Sequence, residues 1–221
     1  GNDVVLTIDS RLQKAVEDIL EEEIKKMRVG QDPYDEAPLV KNGAAVVLDL
    51  HTGEVLAMAS YPSYDLNLFP NGISTDDYQT LENDPATPLY PLAFRGHMIP
   101  GSVVKPAVAV ASLEEGVMSP TDKIYDHLHY YFDSTTSSSC WSDISHGWET
   151  VQDAIRNSCN YFFIEVGMRL GIDRINKWTD AFGLSSPTGL EIIKDDPNAF
   201  ASPALKERLF KKSDTMGPEI R

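Results

Sequence analysis

Pro100-Gly101-Ser102-Val103-Val104-Lys105-Pro106 is the stretch on which the reading of this 221-residue chain turns. A hydroxyl and an amine stand three residues apart, just after a Pro-Gly turn and before an apolar run. That spacing places Ser102 at the N-terminus of a helix and Lys105 one turn on, with both side chains on one face. Pro106 has no N–H for the carbonyl of Ser102, so a regular helix is not expected to begin much before Ser102. Ala107–Leu113 then supplies a buried helical body, and Gly116 suits the residue just past its end. The chemistry needs this arrangement. A serine hydroxyl becomes a nucleophile when a neighbour takes its proton, and a lysine does so only when burial or positive potential keeps it neutral. The helix N-terminus also offers the Ser102 N–H to an oxyanion. Chance alone yields about one S-x-x-K in a chain of this composition, so the motif needs its context.

Fifty-six residues on, Ser158-Cys159-Asn160 falls on a break between two helical patterns. A second hydroxyl near Ser102 and Lys105 would relay a proton, and an asparagine beside it would hold an amide and contact the lysine. Around these segments the chain alternates between patterned and irregular stretches. Val4–Asp9 is expected as a short strand. Ser10 and Gln13 read as a capping box opening an amphipathic helix over 10–28, whose acidic face is solvated surface. Val29–Lys41 is a loop. Gly43–Leu50 and Val55–Ser60 form a hairpin about His51-Thr52-Gly53-Glu54, and the first strand is apolar enough for burial on both faces. Tyr61–Ile99 is an irregular excursion with a short helix near Asp76–Glu82, and Ser119–Gly147 is loop-like. Thr150 and Asp153 open a further helix, Tyr161–Leu170 resumes helical character up to Gly171, and Asp173–Phe182 is a last helix stopped by Gly183.

Composition narrows the function classes. A hydrophobic share of 42% in 221 residues suffices for a real core, and a net charge of −15 disfavours nucleic acid and anionic membrane surfaces. No run reaches the roughly 18 apolar residues of a membrane span, and no signal peptide opens the chain, so any anchor is expected outside it. Cys140 and Cys159 lack C-x-x-C spacing and a neighbouring histidine cluster, so no metal site is expected. Whether the two pair is left open.

Taken together, these residues resemble the transpeptidase domain of the penicillin-binding proteins, whose group signature includes S-x-x-K, an S-x-N-type triplet and K-T-G. The likeness extends over Val4 to Leu190. Leu6-Thr7-Ile8-Asp9 with Gln13 is similar to the family's T-I-D-x-x-x-Q opening. Thr52-Gly53-Glu54 and Ala57-Met58-Ala59 are similar to its first strand pair. Tyr61-Pro62, Arg95, His146-Gly147, Phe182-Gly183 and Thr188-Gly189 follow in the expected order. The resemblance implies an α+β, serine β-lactamase/transpeptidase-like fold, an antiparallel sheet flanked by helices, of the class B, monofunctional, membrane-anchored branch. It divides the chain into an opening strand (1–9), an amphipathic helix (10–28), a sheet hairpin (43–60), an active-site helical region (100–190) and an irregular tail (191–221). By the same resemblance Ser102 is the nucleophile, Lys105 the general base that takes its proton, Ser158 the proton relay and Asn160 the substrate-positioning residue. The partners implied are peptidoglycan stem peptides ending in D-Ala-D-Ala, β-lactams and a membrane glycosyltransferase at the extracytoplasmic face. No cofactor or metal is called for.

One element of the pattern is missing. No K-T-G or K-S-G occurs; His51-Thr52-Gly53 lies in the hairpin turn, out of order, and Pro187-Thr188-Gly189 has no lysine. The resemblance therefore implies only the N-terminal part of the domain, about half of its sheet, an exposed apolar strand edge and weak activity in isolation. A β-lactam sensor or scaffold module is the alternative, against which the asparagine of the triplet speaks. A serine β-lactamase is disfavoured by the T-I-D opening and by the lack of a separate carboxylate motif for deacylation.

Overall fold

The computed structural model describes residues 3–29, 40–96, 99–190 and 205–207. The chain divides into two compact units, 1–98 and 99–221, with helices and antiparallel strands in each. The expected tail, 191–221, lies outside the described residues except for 205–207, as does most of the Val29–Lys41 loop.

In the first unit α1 (Ser10–Val29) packs on the hairpin β1 (Gly43–Leu48) and β2 (Val55–Tyr61). Ala57 and Ala59 on β2 and Ile24 on α1 are buried, the two small residues letting the helix approach. A Cβ at Gly43 would meet Ile24 Cδ1 at 2.7 Å, so a larger residue there obliges the Ile24 side chain to shift. Asp49 Oδ1 accepts the N–H groups of His51 and Thr52 at 2.8 and 2.9 Å, and Gly53 takes the left-handed conformation that closes the turn.

Three expectations for this unit are corrected. Val4–Asp9 forms no strand. Its Val4, Val5 and Leu6 are exposed, and it meets β2 where Thr7 Oγ1 donates to Val55 O and Asp9 N to Leu56 O. Ser10 and Gln13 make no capping box. Asp9 caps α1 instead, its Oδ1 accepting from Arg11 N and Leu12 N. Gln13 then lies one position too far along to serve as the third residue after the cap. Its amide instead clamps β2, accepting Met58 N at 2.7 Å and donating to Met58 O at 2.9 Å. Finally, β1 is not buried on both faces: Val46 and Leu48 remain 43% and 53% exposed, and among the described residues β2 is its one strand partner. The excursion carries α2 (Thr75–Glu82), capped by Ser74, and the short α3 (Leu92–Arg95).

The second unit begins with a 3-10 turn, Gly101–Val104, that runs into α4 (Lys105–Glu114). The reason is local. Pro106 has no N–H for the Ser102 carbonyl, and the N–H of Lys105 takes it in an i to i+3 bond. Gly116, with φ +67°, ends the segment while Val117 N and Met118 N close back on Ser112 O. Four short strands follow, three of them within the expected Ser119–Gly147 loop. β3 (Ile124–Tyr125) pairs with β6 (Trp148–Glu149), and β4 (His129–Tyr131) with β5 (Ser137–Ser139). A serine run carries no alternation to betray a strand. The β4–β5 hairpin is set instead by Asp133, whose Oδ1 accepts from Thr135 N and Thr136 N, and the Thr135 amide first among these donors holds that carboxyl at about 2.

Helices α5 (Val151–Arg156), α6 (Asn160–Leu170) and α7 (Ile172–Ala181) complete the unit. Phe162, Val166 and Leu170 recur every fourth residue along α6 and bury against a core that includes Ala109, Ala111 and Met118. The Thr150–Asp153 capping box forms as expected, Thr150 Oγ1 accepting Asp153 N and Asp153 Oδ2 accepting Thr150 N. Thr150→Ala is accordingly expected to cost about 1 kcal/mol of stability, read as a lower midpoint in urea unfolding.

Candidate active site

The second unit brings together the four side chains singled out in the sequence. Lys105, half-buried in the first turn of α4, donates from Nζ to Ser158 O (2.6 Å), Ser158 Oγ (3.0 Å) and Asn160 Oδ1 (2.8 Å). Ser158 Oγ in turn donates to Ser102 Oγ at 2.9 Å. All three N–H bonds of an ammonium are thereby used, and none goes to Ser102. The expected direct contact between Lys105 and Ser102 is replaced by a chain of three groups, Ser102–Ser158–Lys105. Lys105 Nζ is turned to Ser158 and Asn160, and the Ser158 hydroxyl bridges it to Ser102.

The break between α5 and α6 makes this possible. Ser158 has φ +50°, a left-handed conformation uncommon for a residue with a Cβ, which reverses the chain between the two helices. Cys159 then caps α6, its Sγ accepting Phe162 N at 3.4 Å. Asn160, the first residue of α6, is steadied by donating Nδ2 to Ser139 O at 3.3 Å. Burial pushes the Lys105 amine below the ordinary lysine range, opposed by the potential of Cys140, Cys159 and Glu149. Nζ also lies 5.6 Å from the centre of the Phe163 ring. Ser102 itself is exposed.

Behind the triplet lies a cluster that no sequence spacing announces. Asp126, Cys140, His146 and Cys159 bring their donor atoms within 4.8 Å of one another, all but His146 buried. His146 Nδ1 is 2.8 Å from Asp126 Oδ2, and the two sulfurs are 3.8 Å apart, unbonded. Burial penalises the Asp126 carboxylate, but the amides of His146 and Leu128 and the His146 ring outweigh it, so its carboxyl falls below the usual range. Burial pushes the Cys159 thiol up. Two thiols, an imidazole and a carboxylate are a donor set of the type that holds tetrahedral zinc, and their sulfur separation matches the edge of such a tetrahedron, about 3.8 Å for zinc–sulfur bonds of about 2.3 Å. The sequence gives no reason to expect a metal, for want of clustered ligands; the fold assembles these four from well-separated positions. Glu149 and Asn157, joined by a hydrogen bond from Asn157 Nδ2 to Glu149 Oε1 at 2.6 Å, are likewise invisible in the sequence. Neither residue's place in the sequence signals such a partner.

A serine in the first turn of a helix, reached by a lysine through an S-x-N triplet on a helix break, defines a class of protein, and comparison with known proteins agrees. Residues 43–209 match the family model described as the penicillin binding protein transpeptidase domain. The chain belongs to that family. Over all 221 residues it is 36% identical to the peptidoglycan D,D-transpeptidase MrdA of Haemophilus influenzae, covering 31% of that protein. Among solved structures it is similar to a chain of a peptidoglycan synthase complex described as coordinating polymerization and crosslinking, with a TM-score of 0.81 and 35% identity, covering 95% of this chain and 36% of that one. It is also similar to penicillin-binding protein A of Mycobacterium tuberculosis, solved as an imipenem acyl-enzyme complex, with a TM-score of 0.67 and 28% identity over 81% of this chain and 40% of that one. The fold is thus the α+β fold of the penicillin-binding protein transpeptidase domains. The chain spans about a third of the length of the curated relatives it matches. Among the described residues no helix is long and apolar enough to cross a membrane.

Proposed function

We propose that this chain carries the nucleophile and base of a serine-type peptidoglycan D,D-transpeptidase. The observation that carries the reading is the continuous hydrogen-bonded path from Ser102 Oγ through Ser158 Oγ to Lys105 Nζ. A neutral Lys105 keeps two N–H bonds, to Ser158 O and Asn160 Oδ1, and turns its lone pair towards Ser158 Oγ. The direction of the path then reverses. Ser102 gives its proton to Ser158 as Ser158 gives its own to Lys105, and the freed Ser102 oxygen attacks the penultimate D-alanine carbonyl of a stem peptide. The Ser102 N–H, in a first turn whose amides have no helical acceptor, is one donor for the oxyanion. Collapse of the tetrahedral intermediate breaks the peptide bond, and the path returns the proton to the departing D-alanine amine. An acyl-enzyme on Ser102 remains. The amine of a neighbouring stem peptide attacks it and loses a proton to Lys105; the ester bond breaks as the path hands that proton through Ser158 to the departing Ser102 oxygen, giving the cross-link and free Ser102. Asn160, tied to Lys105 and Ser139, positions the donor strand.

A β-lactam presents a strained amide to the same oxygen, and its opened ring stays attached because its amine does not leave. With no K-T-G in the sequence, one wall of the family's site is not supplied by these residues, and acylation by the chain alone is expected to be slow. The reading assigns the reaction to cell-wall synthesis, with a membrane glycosyltransferase as partner at the extracytoplasmic face; relatives named as peptidoglycan D,D-transpeptidases and a similar chain from a peptidoglycan synthase complex support it. Incubation with a fluorescent penicillin, read by intact mass and peptide mapping, tests the reading. A stable adduct on Ser102 is expected. Rapid release of hydrolysed penicillin would mean a β-lactamase. Absence of an adduct, both in this chain and in the longest natural polypeptide that contains it, would overturn the enzyme reading.

A further inference from the structure

Every hydrogen bond of the nucleophile path ends on Ser158, so whatever holds Ser158 sets the path. The residue before it, Asn157, is the C-cap of α5, and its side chain is gripped by Glu149 Oε1 at 2.6 Å. Glu149 is the residue just before the N-cap Thr150, and its backbone is fixed by pairing with Ile124. The carboxylate thus ties the strand that leads into α5 to the residue that ends it. A helix of six residues is too short to hold its own ends, so both need such fastening. Thr150 and Asp153 fasten the first end, and Glu149 the second.

Glu149 is also an expensive choice for that job. It is 1% exposed; its second oxygen, Oε2, makes no regular hydrogen bond among the described residues, and the Cys159 thiol faces the carboxylate. Burying a carboxylate costs stability, and the hydrogen bond from Asn157 offsets part of that cost. We propose that Glu149 is a positioning residue for the reaction read above: through Asn157 it holds the left-handed turn that keeps Ser158 Oγ between Ser102 and Lys105. It does not touch substrate. The proposal rests on the transpeptidase reading, because only there does the placement of Ser158 govern a rate.

The test uses the longest natural polypeptide that contains this sequence, with Glu149→Ala, Glu149→Gln, Asn157→Ala and the Glu149→Ala/Asn157→Ala pair. Acylation by a fluorescent penicillin is resolved into initial affinity and the rate constant at saturation, and thermal midpoints are measured in parallel. Glu149→Ala is expected to lower the rate constant about tenfold with affinity unchanged. Glu149→Gln keeps an acceptor for Asn157 and is expected to restore the rate to within about twofold. Asn157→Ala should show the same loss as Glu149→Ala, and the pair should be no slower than either alone. If Glu149→Ala does not fold, the Asn157→Ala loss and the Glu149→Gln rescue still decide. An unchanged rate constant, losses that multiply in the pair, or slowing fully accounted for by the unfolded fraction would overturn the proposal alone. A parent protein that forms no Ser102 adduct would overturn the transpeptidase reading and this proposal with it.

Discussion

Lys105→Met is expected to slow acylation of Ser102 by about a thousandfold while leaving the protein folded. The methionine fills the same volume but cannot take the proton that Ser158 passes on, and it leaves Ser158 O, Ser158 Oγ and Asn160 Oδ1 without their donor. Ser102→Ala should instead abolish the adduct entirely, with every Lys105 contact intact. The pair of variants separates the nucleophile from its base in one labelling experiment. The pH dependence follows from burial. Desolvation favours the neutral amine, so Lys105 titrates below the ordinary lysine value, and acylation, which needs the neutral form, should climb with pH through that lowered value and then level. Stability shifts in the same direction. The unfolded chain's lysine, at its ordinary value, takes up a proton more readily than the buried one. Stability therefore falls as pH drops from the unfolded towards the folded value and is constant below it. Lys105→Met should remove that part of the pH dependence from both profiles. A variant that acylates at the parent rate would remove Lys105 from the mechanism.

Much of this site is legible in the sequence because the residues that build it are close neighbours along the chain. Ser102 and Lys105 are three apart, and Pro106 marks where the helix must change character. The Thr150–Asp153 box and the glycines at 116, 171 and 183 are equally local, and each sits where the chain pattern places it. Asp9 and Gln13 show how a local reading slips. Ser10 reads as the cap, but Asp9 takes that place, and Gln13 turns to Met58 on β2. The strands between 124 and 149 are hidden because two- and three-residue ladders have no periodicity to read. Asp126, Cys140, His146 and Glu149 are hidden because their partners are distant in sequence, and only the fold sets them side by side. The direct Lys105–Ser102 contact is an inference from local spacing, and it gives way because Ser158 and Asn160, 53 and 55 residues on, take the Lys105 hydrogen bonds.

Phe162→Ala is expected to cost about 3–5 kcal/mol, a large part of the roughly 5–15 kcal/mol that holds a domain folded. Phe162 is 1% exposed, stands two residues after Asn160 in the first turn of α6, and meets Phe163 edge-on at 5.4 Å. Its removal opens a cavity among residues drawn from several helices, which cannot collapse around it without moving a backbone. Met168 on the same helix is 59% exposed, so Met168→Ala should change stability by no more than about 0.5 kcal/mol. Urea unfolding followed by circular dichroism reads both. The more telling measurement is acylation of the folded fraction at low temperature. Phe162 N is the donor to the Cys159 Sγ cap, so a loosened first turn of α6 also loosens Asn160, which shares Lys105 with Ser158. Phe162→Ala should therefore acylate more slowly than Met168→Ala even when both are folded. Equal rates would show that the Ser158 turn is held from the α5 side alone, and that the core beneath α6 supports the fold without setting the path.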